Sequence, residues 1–118
     1  FCLSLPNAVE DYPFGPSPIV IKIENIMFAL LNSDTEISLK CEPFAALDYR
    51  DVFKAVKPGY HLNKKHWNTV QTGLDVNEDL LKDMIVHSYE CVVKTLPKKK
   101  KENYLCLLDS FKSNLIKK

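Results

Sequence analysis

The sequence predicts an α+β fold: an antiparallel sheet with helices packed on one face and a long C-terminal helix. Three observations carry that prediction. Apolar residues alternate with period two over residues 19–41, a helical apolar stripe spans residues 77–96, and turn-forming residues separate the runs. At 118 residues, 46% of them apolar, the chain has the length of one domain and the means to bury one core.

The elements follow in order. In IVIKI, Ile19, Ile21 and Ile23 share one side and Lys22 takes the other. Glu24 and Asn25 make a short turn into IMFALL, so the two runs predict a hairpin. After the polar turn NSDT, Ile37, Leu39 and Cys41 point inward while Ser38 and Lys40 point outward, which completes a three-strand antiparallel meander. Pro43 suits the first position of a helix, where its missing N–H costs nothing, and FAALDYRDVFKAV predicts that this helix continues until Pro58 and Gly59 stop it. Those two residues suit the central positions of a type II turn, with Gly59 at positive φ. HWNTVQ predicts another strand. From Asn77 a long helix carries Leu81, Met84 or Ile85, Ser88, Val92 and Leu96 on one stripe, capped by Asn77 or by Asp75 with Glu78. Beyond Pro97 comes the lysine run 98–101. Tyr104, Leu108, Phe111 and Leu115 then recur at helical spacing, which predicts a domain over residues 1–100 and an extension over 101–118 that forms a short amphipathic helix.

Net charge is +1, yet the halves differ in sign. Residues 1–59 hold five Lys and Arg against eight Asp and Glu, and residues 60–118 hold eleven against seven. That bias is small beside a dedicated nucleic-acid binder. Cys2, Cys41, Cys91 and Cys106 lie far apart with no CxxC pair, a pattern of reduced thiols. No run of about eighteen uncharged apolar residues occurs, and the opening FCLSLPNAVEDYPFGP has neither a basic front nor a long apolar stretch. The expected setting is the cytoplasm, with no membrane contact.

Residues 57–70, KPGYHLNKKHWNTV, are the densest functional candidate. Lys64 and Lys65 fall near the far end of a hairpin, where they can meet phosphates as point charges. His61, Asn63, His66 and Asn68 supply donors for phosphate oxygens or base edges, and an outward Trp67 or Tyr60 can stack on an unpaired base. The same residues equally suit a closed hairpin, with Trp67 and Tyr60 in the core and Asn63 and Asn68 bonding turn backbone. Two lysines supply about two of the roughly six to ten phosphate contacts of a strong duplex binder, so Lys94 and the run 98–101 must share their face for tight binding.

Catalytic and metal signatures are absent from the sequence. His61, His66 and His87 with Cys41 or Cys91 contain the residue types of a nucleophile and base, but no local motif positions them. His61 and His66 are five apart across a loop and lack an obvious third ligand, so neither metal nor cofactor is expected. The mid-helix His87-Ser88-Tyr89 is read as bonding to the facing sheet. EDYPFGP suits a rigid turn that caps the sheet edge and equally an aromatic pocket for a peptide or small ligand.

CLSLPNAVEDYPFGP, MFALL, SLKCEP, PGYHLNKKHWNTV and DLLKDMIVHSYECVVKTLPKK resemble the successive motifs of the MmcQ/YjbR family of small bacterial proteins, over nearly all of residues 2–99. The resemblance implies a frataxin-like α+β fold and DNA binding through a double-wing arrangement. It is silent on the tail. An iron role is disfavoured, because FCLSLPNAVED offers only Glu10 and Asp11 where an acidic ridge is needed. The expected function is therefore a non-catalytic binding module that contacts DNA backbone through Asn63, Lys64, Lys65 and His66, with His61 and Asn68 second. The alternative is a protein-interaction module that uses the tail from Tyr104 to Leu115 or the aromatic DYPF surface.

Overall fold

A computed structural model of the chain describes residues 1–15, 18–59 and 62–117, with residues 114–117 as backbone alone. After a 3-10 turn at Cys2–Ser4 come β1 (Val9–Asp11), β2 (Ile19–Ile23), β3 (Ile26–Leu31), β4 (Glu36–Lys40), α1 (Pro43–Val52), β5 (Val56–Pro58), β6 (Trp67–Gln71), α2 (Glu78–Val93) and α3 (Lys98–Lys117). The six strands form one sheet in the order β1-β2-β3-β4-β6-β5, each neighbouring pair antiparallel. The α+β architecture is the one the alternation predicts. Ile21, Ala29 and Leu39 lie in one cross-strand row and Ile37, Val70 and Val56 in another. This face meets Met84, Ile85, Val92 and Val93 of α2 in the main core. Val20, Leu30 and Trp67 form a smaller cluster with Met27 and Leu62. Among the described residues, no helix is long and apolar enough to cross a membrane.

Two strands escape the period-two reading. β1 carries no apolar alternation; it pairs Val9, Glu10 and Asp11 with Lys22, Ile21 and Val20, and Asp11 accepts from Lys22 at 2.7 Å. β5 occupies residues expected to be helical. The first helix stops at Val52 because the Asp75 carboxylate, far along the chain, accepts the backbone N–H groups of Lys54 at 2.7 Å and Ala55 at 2.8 Å. Those amides are then lost to the helix, and Val56 turns into the sheet. Asp75 is thus spent here and Asn77 alone caps α2, accepting from Leu80 N at 2.8 Å.

The turn between β2 and β3 places Glu24 at φ 48° and Asn25 at φ 63°, the left-handed pair of a type I′ hairpin. Glutamate is an unusual choice for that conformation. Its carboxylate accepts from Lys100 Nζ at 3.0 Å and from Tyr104 Oη at 2.9 Å, so the turn also anchors α3. α3 is a twenty-residue helix beginning at Lys98, and position 100 falls inside it. Tyr104 and Leu108 are buried in the main core, and Phe111 packs on Phe1 with ring centroids 5.9 Å apart. The stripe is therefore taken up by the chain's own body; the Leu115 side chain lies outside the described residues.

His87-Ser88-Tyr89 ties α2 to three separate elements. His87 Nε2 accepts from Glu42 N at 3.1 Å, just ahead of α1. The fully buried Ser88 hydroxyl accepts from Lys40 N at 2.8 Å and donates to Phe28 O. Tyr89 Oη donates to Pro6 O at 2.7 Å, and the ring meets Phe28 edge-on.

Ser88→Ala leaves a strand amide and a strand carbonyl without their partner and is expected to cost about 2–3 kcal/mol, read as a lower urea midpoint with an unchanged slope. The hydrogen bonds from Lys100 and Tyr104 hold the Glu24 carboxyl below the usual carboxylate range. A pKa depressed by folding adds stability above the unfolded value, and that contribution disappears as pH falls through the folded value. Glu24→Gln is therefore expected to lower the urea midpoint at pH 7, and the difference between the two proteins should shrink as pH falls below the usual carboxylate range.

Candidate functional site

The candidate hairpin is built by β5 and β6. Gly59 departs from the expected type II turn, since its φ lies outside the left-handed region. Strand pairing continues past Pro58, with Gly59 N donating to Trp67 O at 2.9 Å. Glycine is required for closeness instead, because a Cβ at this position would lie 2.7 Å from Trp67 Cβ. Two backbone hydrogen bonds follow within the loop, the second closing a turn over residues 63–66. Leu62 N bonds Gly59 O at 3.3 Å, and His66 N bonds Asn63 O at 3.1 Å. Asn63 Oδ1 also accepts from Lys65 N at 3.0 Å, an Asx turn that places Lys64 and Lys65 at the centre of the 63–66 turn with their side chains exposed. His66 is half-buried, and its carbonyl accepts from Cys41 N at 2.7 Å. Tyr60 and His61 lie outside the described residues.

Asn68 and Trp67 do not face outward. Asn68 is 2% exposed; its amide donates to Ala46 O at 3.2 Å and its carbonyl oxygen accepts from Arg50 Nε at 2.6 Å. Both ends are spent on α1, which removes Asn68 from the accessible donors. The strand pattern contains the reason: Val70 faces the core, so Asn68 two residues earlier shares that face. Trp67 is buried against Val20 and Leu30 and is closed to stacking.

Arg50 is the residue that sequence reasoning missed. From the last turn of α1 it holds Asn68, and its Nη2 donates to Lys64 O and to Trp67 O, the latter at 3.2 Å. One planar fork thus fixes the lysine turn to the helix. Its sequence signal is a lone basic residue near a helix end, which says nothing of a hairpin fourteen positions away. Beside it, Phe44 is 77% and Leu47 54% exposed. With Pro43, Arg50, Lys64 and Lys65 they line a groove of about 370 Å³.

The chain path gathers the other candidate cations at the same end of the sheet. The β2–β3 turn, the end of β4, the start of α1 and the β5–β6 loop all emerge there. α2 ascends to that end, since His87 reaches Glu42. Lys94 and the run 98–101 follow at the α2–α3 junction. Lys100 is paired with Glu24, whereas Lys64 and Lys65 have no ion-pair partner among the described residues.

The thiols give little chemistry. Burial pushes Cys41 up to about 11, with the neighbouring Cys91 adding to the effect, and burial also raises Cys91. Cys91 Sγ lies 3.6 Å from His87 Nε2, but that nitrogen already accepts from Glu42 N, so it is committed to the fold. Among the described residues no three His, Cys, Asp or Glu side chains converge to hold a metal.

Arg50→Ala is expected to cost about 1–3 kcal/mol, because it strips the buried Asn68 oxygen of its donor. Amide hydrogen exchange at Lys65 and His66 should rise with it. Arg50→Lys should restore less than half of the loss in urea midpoint, since an ammonium cannot reproduce the fork.

The YjbR family model matches residues 3–91. The chain is 40% identical over 100 residues to protein YbdF of Escherichia coli O157:H7, covering 82% of each. It is 29% identical over 105 residues to protein YjbR of Escherichia coli K12, covering 86% of this chain and 89% of that one. The crystal structure of Deinococcus radiodurans protein DR2400, a DUF419 domain, superposes with a TM-score of 0.79 at 33% identity, covering 87% of this chain and 81% of that one. A Pseudomonas syringae protein shares the fold at a TM-score of 0.60 and 24% identity, covering 70% and 85% of the two chains. With the six-stranded sheet, its one-sided helices and a family match across three quarters of the chain, the protein belongs to the YjbR family.

Proposed function

We propose that the chain is a non-catalytic, cytoplasmic binding module that seats nucleic-acid phosphates on Lys64 and Lys65. One observation carries this reading: two exposed lysines occupy the centre of a turn whose backbone is fixed by Arg50, Asn63 and β-pairing. A preformed turn loses little entropy when it binds, so even a small charge count contributes usefully. Lys94, Lys98, Lys99 and Lys101 at the same end of the sheet extend the positive field, although Lys100 is partly neutralised by Glu24. The high pKa of Cys41 and the committed imidazole of His87 support the non-catalytic half of the reading. Asn63 and His66 serve mainly to shape the turn.

A protein-interaction module is the competing reading. In its tail Tyr104 and Leu108 are buried while Leu105 and Leu107 are 42% and 43% exposed, and Tyr12 and Phe14 of the DYPF segment are 50% and 66% exposed.

Fluorescence anisotropy with labelled oligonucleotides across a salt series separates the two. Micromolar binding that weakens with salt is expected. In Lys64→Ala/Lys65→Ala the slope of log K against log salt on duplex should be shallower by about 1.8. Absence of binding to every oligonucleotide at low salt would reject the nucleic-acid reading and leave the aromatic surface as the one to pursue.

A further inference from the structure

Resting on the phosphate-binding reading, we infer that the groove between α1 and the lysine turn selects single-stranded over duplex nucleic acid, with Phe44 as a stacking platform for an unpaired base. Phe44 sits in the first turn of α1, outside both apolar clusters, and is the most exposed large apolar side chain described. Leu47, one turn along on the same side of the helix, continues its wall. Arg50, Lys64 and Lys65 supply the positive charge of the groove, and among the described residues no carboxylate lines it. An aromatic face held beside cations matches a strand that offers base faces and phosphates together.

A duplex cannot use this arrangement. Its base faces are stacked inside the helix, so a duplex laid on Lys64 and Lys65 leaves Phe44 idle or pressed against charged backbone. An unpaired base can cover the ring while its flanking phosphates reach the lysines. Selectivity among bases is expected to be slight, because every base has a π-face. An acidic peptide carrying an aromatic residue also complements the groove, and the experiment distinguishes it.

The test compares four fluorescent probes on the full chain at low salt: an oligothymidylate, an abasic strand of equal length, a duplex, and a peptide of the sequence EDYPF. The oligothymidylate is expected to bind about tenfold or more tighter than the abasic strand, the difference being the stacking contribution. Phe44→Ala should remove that difference and leave abasic and duplex binding unchanged, and Phe44→Trp should retain it. Lys64→Ala/Lys65→Ala should weaken all three nucleic-acid probes. Because Phe44 is exposed, an unchanged urea midpoint in Phe44→Ala is expected and separates loss of contact from loss of fold.

The inference is overturned if the duplex or the abasic strand binds as tightly as the oligothymidylate, or if Phe44→Ala leaves single-strand affinity unchanged. In either case phosphate binding through the lysines survives. If no nucleic-acid probe binds, or the peptide binds more tightly than all of them, the underlying reading fails as well.

Discussion

A single helix hydroxyl governs how the sheet and the candidate site are set against each other. Ser88 bridges Lys40 N of β4 and Phe28 O of β3, where these two strands stop pairing and β4 continues beside β6. His87, one residue earlier, takes Glu42 N. The Glu42 carboxylate in turn caps α1 by accepting from Phe44 N at 3.1 Å and Ala45 N at 3.0 Å. Those hydrogen bonds hold its carboxyl below the usual carboxylate range, so the cap is charged at neutral pH. α1 then carries Arg50 to the hairpin. The position of the exposed lysines is therefore fixed, through four short steps, by the buried middle of α2.

This dependence explains why the surface is spare in cations and still well formed. Among the described residues, three polar side chains that could have been ligand contacts by their type are used inside the fold. Asn68 joins strand to helix, Asn63 folds the turn, and His87 receives a backbone amide. The atoms that remain outside are the lysine ends and an apolar wall, a combination suited to recognition by charge and surface contact more than by a dense hydrogen-bond pattern.

Much of the fold was legible because local pattern and tertiary demand agree. The alternation of β2 to β4, the Asn77 cap and the stripe of α2 are each encoded within a few residues. The failures share a different cause. α1 ends where Asp75 intervenes from across the chain, and β1 exists because β2 offers it an edge. For the site, the exposure of Lys64 and Lys65 was readable from a polar turn. Arg50 was not, since its role depends on a contact with no local signature. Asn68 was readable in principle, through the face it shares with Val70, but its donor chemistry drew attention away from its register.

The short outer strands carry a consequence for how any partner must approach. A sheet usually invites company along its edges, where unpaired backbone can accept another strand. Here one border is β5, three residues long with an exposed Lys57 and with Pro58, which has no N–H to offer. The other is β1, equally short and two-thirds acidic. Neither margin is a good template for strand addition. Under the proposed function, recognition then falls to side chains at the end of the sheet where the loops gather. On that proposal, specificity is free to change by substitution of a few loop and helix residues while the ladder of hydrogen bonds beneath them stays as it is.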